Sequence, residues 1–473
     1  MFVLFSRLPY ILYRDYPDFG YLTDNRNLGY DTASKSCVKV GERILSKIGS
    51  LFYSVLTEKP HSIPEISEQL LPLFRGVSLH EIEEDAQTFF LELSQDGFVW
   101  CDQEARIPDR LDYFSYANRN TQTLVEKGDS TEVPLTIDWG GEYRLMRIHV
   151  DVSGFCNEHC VHCYIPDKFK NKAMASDMFR RILEQSRECN VLNITISGGE
   201  PMLNPNLLDF VKTCRGDNFS VNLLSNLTLL TDEMVSEFEK SPLLSIQTSL
   251  YSMVPDVHDS ITNSRGSFAK TKRAIEVLYE HNIPMQINCP VMKQNKDSYQ
   301  EVLDWAKSLN IEASSDYMLF GCFDGSGKNL QCRLDLSEVE DVIRNEKQNQ
   351  IQAKEHQYNP ESNSSICPVC SSSICVSHLG DVYPCEGWQS LILGNIMENT
   401  ISQIWEESPV VHKLRNLSIR DFPKCQSCAD KDFCSICLLR NVNESPTLDY
   451  KDVNPYFCEI AKLKKLLAED VAK

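Results

Sequence analysis

The residues best equipped for chemistry in this chain are cysteines, and they are grouped. There are nineteen, an odd number; only Cys37 and Cys101 precede residue 150, whereas nine lie between Cys367 and Cys458. Disulfide frameworks belong mostly to small secreted domains. Short, clustered spacings point instead to metal ligation, in which one loop wraps several thiolates around a single centre. In SGFCNEHCVHCYIP, Cys156, Cys160 and Cys163 follow a C-x3-C-x2-C spacing. Three thiolates on a four-iron cube leave one iron open to another ligand. With His159 and His162 among them, the alternative is a zinc knuckle. Downstream, LNITIS runs into Gly198-Gly199-Glu200-Pro201. The two glycines permit close backbone approach, and the Glu200 carboxylate can accept from an ammonium group.

A second group fills the C-terminal part: Cys367-x2-Cys370, then Cys375, then Gly380-x4-Cys385, then Cys425-x2-Cys428-x5-Cys434-x2-Cys437, and finally Cys458. Thiolate pairs of this kind hold iron–sulfur clusters or structural zinc. The remaining cysteines (Cys37, Cys101, Cys189, Cys214, Cys289, Cys322 and Cys332) fall singly and read as small buried hydrophobes, although Cys322 and Cys332 lie where the last barrel strand would end.

The elements that must position these groups fall into zones. Residues 1–115 open with aromatic strands, FGYLTDN and LGYDT, followed by a helix carrying Ile44, Ile48, Leu51, Phe52 and Leu56 on one face. Two helices with capping-box starts come next, Ser62 to Glu65 and Ser78 to Glu81, and FVW begins a closing strand. The layout is a winged-helix-like α+β module. Residues 116–143 form a polar linker. Over 144–345, LMRIHVDV, LNITIS, FSVNLLS, LSIQTSL, PMQINCPV and EASSDYMLF alternate with helical stretches. Six such strands predict a parallel α/β sheet that right-handed crossovers curl into a partial (β/α)6 barrel, with chemistry at the carboxyl ends of its strands. Residues 346–473 are cysteine-rich and irregular up to a closing helix, EIAKLKKLLAED.

The cysteine loop and GGEP, one strand apart, resemble the radical S-adenosylmethionine (radical SAM) enzymes. The resemblance implies that Cys156, Cys160 and Cys163 hold a 4Fe–4S cluster. Its open iron would chelate S-adenosylmethionine, and its electron would release a 5′-deoxyadenosyl radical. It also implies that Gly198, Gly199, Glu200 and Pro201 bind the cofactor's amino group. Ser225 and Asn226 would meet its ribose, and Gln247, Ser249, Arg265 and Tyr164 would add further contacts. The C-terminal cysteines resemble the SPASM extension, although two residues rather than three precede Cys437. That resemblance implies two more 4Fe–4S clusters, three in all. Cys425, Cys428, Cys434 and Cys458 would hold the outer one and Cys367, Cys370, Cys385 and Cys437 the inner one, with Cys375 a spare able to replace an inner ligand.

The N-terminal layout is similar to the leader-recognition element of peptide-modifying enzymes, in which a leader adds a strand to a sheet edge. Together the resemblances imply a maturase of a ribosomally made precursor peptide, fed by a flavodoxin- or ferredoxin-like electron donor. Thioether formation to a peptide cysteine is the first expectation, followed by carbon–carbon cross-linking and epimerisation. The alternatives are a sulfatase-maturase-type Ser/Cys oxidising enzyme and a non-catalytic zinc-stabilised adaptor. Composition narrows the partners. With 47 basic and 67 acidic residues the net charge is −20, which repels phosphate backbones and argues against nucleic acid. No apolar run reaches the ~20 residues of a membrane span. MFVLFSRLPYILYRDY is broken by Arg7, Pro9 and Arg14, so it reads as a folded terminus of a cytoplasmic protein.

Overall fold

The computed structural model describes residues 3–25, 41–103, 143–346 and 365–471. The segment LGYDT, Cys37 and the expected linker apart from Tyr143 lie outside the described residues. Among the described residues no helix is long and apolar enough to cross a membrane.

The N-terminal part holds two small antiparallel sheets. In one, β1 (Leu4–Arg7) lies between β5 (His61–Ser62) and β6 (Val99–Cys101); in the other, β3 (Phe19–Asp24) lies between β2 (Ile11–Asp15) and β4 (Glu42–Ser46). Both expected capping boxes are formed, starting the helices Ile63–Leu70 and Leu79–Gln95. Ile82, Ala86, Phe90 and Leu93 of the second helix are buried in the module's own core with Phe5, Phe52 and Ile66. One expectation fails. The helix expected around Ile44 begins only at Lys47, because residues 42–46 pair with β3 as β4, and Ile44 and Ile48 are 54% and 59% exposed. The i, i+4 spacing of these isoleucines matched a helix face, but strand pairing decided the first of them.

The central sheet has nine strands in the order β12-β11-β10-β9-β8-β7-β13-β14-β15. The first six in sequence are β7 (Arg147–Ser153), β8 (Asn193–Gly198), β9 (Ser220–Leu224), β10 (Ser245–Ser249), β11 (Met285–Pro290) and β12 (Glu312–Asp316), all parallel. They are the six strands read from the sequence. The C-terminal part is more regular than its sequence: β13 (Ser373–Val376), β14 (Asp381–Tyr383) and β15 (Gly394–Asn395) extend the barrel sheet, β13 running parallel to β7.

Alternation along the barrel strands decides what each face does. Ile148, Val150, Val152, Ile194, Ile196, Val221, Leu223, Ile246 and Ile287 are fully buried in the core shared with the helices. The intervening positions are polar and line cavities on the inner face: Arg147, His149, Asn193, Thr195 and Asn222 toward the amino ends, Ser197, Gln247, Ser249 and Asn288 toward the carboxyl ends. Closed barrels fill their interior with branched apolar side chains. This one keeps a polar lumen.

The module is docked at the barrel's amino-terminal edge. Asn218 extends the edge of β2 like a strand residue, its Oδ1 accepting from the Tyr13 N–H at 2.9 Å and its Nδ2 donating to the Ile11 carbonyl at 3.2 Å. Buried Arg14 donates from Nε to the Val191 carbonyl at 2.8 Å. Leu12, Tyr16 and Tyr21 pack on Leu192 and Leu244, each such burial contributing about 1.5–3 kcal/mol.

Candidate functional site

After β7 the chain passes into the cysteine loop, which hydrogen bonds hold over the strand ends. The Gly199 N–H donates to the Ser153 carbonyl at 2.7 Å and the Glu200 N–H to the Phe155 carbonyl at 2.8 Å. The His159 and Val161 N–H groups donate to the carbonyls of Thr262 and Ile261, tying the loop to the helix Pro255–Thr262. Asn329 Nδ2 donates to the His162 carbonyl at 3.1 Å, and the Cys322 thiol lies 3.8 Å from the Cys163 carbonyl. Cys322 therefore braces the loop from behind.

Cys156, Cys160 and Cys163 open into one cavity of about 380 Å³ at the carboxyl ends of the strands. Burial pushes the Cys156 thiol up to about 11, and the charges of Glu200, Cys163 and Glu158 push it the same way. Burial also raises Cys160 and Cys163. Three thiols that hold their protons against solvent would give them up to a metal centre, whose charge would replace the protons. The floor leaves no space for side chains. At Gly198, with φ at +128°, a Cβ would lie 2.2 Å from the Ser153 oxygen, and at Gly199 it would lie 2.4 Å from the Phe155 oxygen. The three thiols on one cavity fit a cluster at this loop, and the glycines let the loop pack directly on the strand end.

Glu200 is completely buried and already bonded, accepting from the Met202 N–H at 2.9 Å, the Ser225 hydroxyl at 2.7 Å and the Asn226 N–H at 2.8 Å. Burial pushes its carboxyl up to about 7 against those bonds. A carboxylate has about four acceptor positions, so one remains. Asn226 also donates to Asn157 Oδ1 at 3.0 Å, clamping the end of β9 to the cysteine loop.

The C-terminal thiols face two further cavities. Cys425, Cys428, Cys434, Cys437 and Cys458 line a tight one of about 50 Å³ with Lys431 and Arg440. Burial raises Cys425 to about 11, with the Cys458 and Cys428 charges adding to it. Cys367, Cys385 and Cys437 line the other, of about 860 Å³, whose opposite wall is the amino-terminal half of the barrel lumen. Cys437 therefore stands between the two. Cys370 lines neither; it is fully buried, and its carbonyl accepts from Arg415 Nε at 2.7 Å. Cys375 is fully buried on β13.

Comparison with known proteins agrees with this arrangement. Residues 150–306 match the radical SAM superfamily, and residues 367–429 match the SPASM iron–sulfur cluster-binding domain. The chain carries a radical SAM domain and a SPASM domain. It is an enzyme whose cofactors are S-adenosylmethionine and 4Fe–4S clusters. It is 26% identical to the subtilosin biosynthesis protein AlbA of Bacillus subtilis, over 81% of this chain and 83% of AlbA. It is also 26% identical to the AdoMet-dependent heme synthase of Methanosarcina barkeri, over 65% of this chain and 94% of that protein. Among solved structures, Streptococcus suis SuiB bound to its precursor peptide SuiA superposes with a TM-score of 0.57 at 14% identity, covering 96% of this chain and 99% of SuiB.

Of the cofactor contacts expected from sequence, Tyr164, Gly198, Gly199, Ser225, Asn226, Gln247 and Ser249 line the radical SAM pocket. Pro201 is buried behind it with Glu200, and Arg265 is exposed in the turn after the helix Pro255–Thr262, off the pocket. The sequence reading missed several lining groups. Lys170, paired with Asp167 at 3.2 Å, is a cation facing the thiols, and nothing in its spacing marks it. Ser197 ends the expected strand LNITIS, Asn288 lies inside PMQINCPV, and Asp316, in the middle of the expected EASSDYMLF, ends the observed β12; polar residues toward the carboxyl ends of strands were the signal for them. Tyr251 reaches His162 Nε2 at 3.3 Å.

Proposed function

We propose that this enzyme modifies a ribosomally made precursor peptide, with 1–115 as the leader-recognition module, 144–345 as the radical SAM barrel and 346–473 as the SPASM domain. The observation that carries the reading is a pair of polar cavities on the inner face of the barrel strands, each bordered by thiols. Cys156, Cys160 and Cys163 border the one at the carboxyl ends of the strands, and Cys367, Cys385 and Cys437 border the one at the amino-terminal half. A peptide segment held in the upper cavity meets the first thiol set, with the second set on the other side of the same strands.

Three 4Fe–4S clusters are the proposed complement. The first rests on Cys156, Cys160 and Cys163, and the outer on Cys425, Cys428, Cys434 and Cys458; the inner rests on Cys367, Cys385 and Cys437, which share a cavity, with Cys370 turning out of the core to join them. When bound, the first cluster and S-adenosylmethionine supply the hydrogen-abstracting radical. The chain's own residues position and enclose. Gly198 and Gly199 let the backbone approach the cofactor, Ser225 and Asn226 present polar edges, and the strand-end side chains hold the substrate away from bulk water. The bond we propose is a thioether. Forming it would remove two hydrogens from the peptide, one as a C–H hydrogen atom and one as a thiol proton with an electron; the cofactor held at Cys156, Cys160 and Cys163 would supply the acceptor for the first, and an oxidised cluster held by the C-terminal cysteines would supply the acceptor for the electron. Lys424 and Lys431, beside the outer thiols, support docking of an acidic flavodoxin- or ferredoxin-like donor there.

Leader recognition is supported by the module's edge. Among the described residues β4 pairs with β3 alone, so its other edge can accept a peptide strand. The deciding experiment incubates the anaerobically reconstituted enzyme, dithionite and S-adenosylmethionine with short cysteine-containing peptides encoded beside its gene. A product lighter by two hydrogens that resists thiol alkylation supports a thioether. The same mass loss with the thiol still free means carbon–carbon cross-linking, and unchanged mass with solvent deuterium uptake means epimerisation. Cofactor cleavage with no change in any peptide overturns the peptide reading.

A further inference from the structure

Cys375 has no place in either proposed auxiliary ligand set, and the fold gives it other neighbours. β13 pairs in parallel with β7 so that Cys375 stands opposite His149. Alternation puts Asp151, two residues on, on the same face as His149. His149 Nε2 lies 3.1 Å from Asp151 Oδ1, and the Cys375 thiol lies 4.0 Å from Asp151 Oδ2. One imidazole nitrogen, one carboxylate oxygen and one sulfur thus fall within 4.8 Å of one another. Asp151 and Cys375 are buried, at 7% and 0% exposure, and the Gln389 amide donates to Asp151 Oδ2 at 3.1 Å. His149 also borders the lower cavity.

We propose that His149, Asp151 and Cys375 form a mononuclear site for a divalent cation of the zinc or ferrous class, distinct from the three clusters. The donor set suits it: thiolate and imidazole favour borderline-soft ions, and a carboxylate completes many such sites. With bonds of about 2.0–2.3 Å, a tetrahedral centre separates its ligand atoms by roughly 3.3–3.8 Å. His149 meets one Asp151 oxygen at 3.1 Å and Cys375 the other at 4.0 Å, and with one atom from each residue the three donors lie within 4.8 Å, so side-chain shifts of about an ångström bring them to the tetrahedral spacing. The cation replaces the proton now shared by His149 and Asp151 and that of the Cys375 thiol. A fourth position is left for water or a substrate donor. Because its ligands come from β7 and β13, the ion also ties the radical SAM barrel to the SPASM hairpin.

The test uses full-length, cluster-reconstituted enzyme dialysed against zinc, with iron and zinc counted per chain. The wild type should hold about one zinc beyond its iron. His149→Ala and Cys375→Ser should each lose that zinc and keep wild-type iron, the retained iron showing that they fold. Loss of about four irons in Cys375→Ser would make Cys375 a cluster ligand and overturn the site. Zinc retained in both variants, or none taken up by the wild type, also overturns it. X-ray absorption at the zinc edge of the wild type reads the same question without a variant. One sulfur among nitrogen and oxygen neighbours supports the site, and an all-sulfur shell refutes it.

Discussion

Gly199→Ala tests how the cysteine loop is held. The methyl carbon would sit 2.4 Å from the Phe155 carbonyl oxygen and 2.8 Å from that of Gly154, both backbone atoms of the segment that leads into Cys156. Real Cβ atoms almost never approach closer than 3.0 Å, so strand end and loop must part by roughly 0.6 Å, and neither side is a flexible side-chain tip. The separation stretches the Glu200 N–H to Phe155 carbonyl bond, now 2.8 Å. Overpacking of this size costs about 1–3 kcal/mol of stability. Catalysis should suffer more, because a displacement approaching 1 Å at a reacting centre costs on the order of 100-fold. Release of 5′-deoxyadenosine by the dithionite-reduced enzyme, timed by chromatography and normalised to iron, should fall about 30- to 100-fold. Gly216→Ala, at the end of the helix Leu207–Gly216 with open space around its Cβ position, is the control and should be neutral. A Gly199→Ala enzyme within twofold of wild type at equal iron content would falsify the claim that this contact sets the loop.

Three further outcomes follow from the same geometry. Cys156→Ala should abolish 5′-deoxyadenosine formation while retaining roughly eight of about twelve irons, since four belong to each cluster; full cleavage by this variant would remove the loop from the active site. Ile44→Lys with Ile48→Lys, at positions more than half exposed, should leave the melting temperature nearly unchanged. The pair should weaken binding of a modified peptide's precursor by about tenfold, or 1.4 kcal/mol, with cofactor cleavage intact; unaltered peptide affinity would count against the β4 edge. Glu444→Ala should lower stability in urea by about 3 kcal/mol. Its carboxylate meets Arg333 at 2.7 Å with both side chains under 15% exposed, and it also accepts from the Gly321 N–H at 3.3 Å. A change below 1 kcal/mol would mean that solvent already shields the pair.

What the sequence determined by itself was local. The six barrel strands were legible because Ile148, Val150 and Val152, and likewise Ile194 and Ile196, alternate with polar residues over a few positions. The helix starts at Ser62 and Ser78 were legible because a capping box closes within three residues. The Cys156 loop and Gly198-Gly199 were legible because close spacing and glycine are themselves the chemistry. Tertiary structure decided whatever joins distant segments. Ile44 kept a helical spacing yet became a strand residue, because β3 offered backbone partners that no local pattern records. Residues 373–376 looked irregular and became a barrel-sheet strand through pairing with β7, more than 200 positions away. The same pairing set Cys375 beside His149 and Asp151, while Cys370, only three residues from Cys367, turned into the core. Spacing brought Cys156, Cys160 and Cys163 to one cavity, yet it did not do so for Cys367 and Cys370. Where the loops are separate, strand register and burial choose the partners, and those are properties of the whole fold.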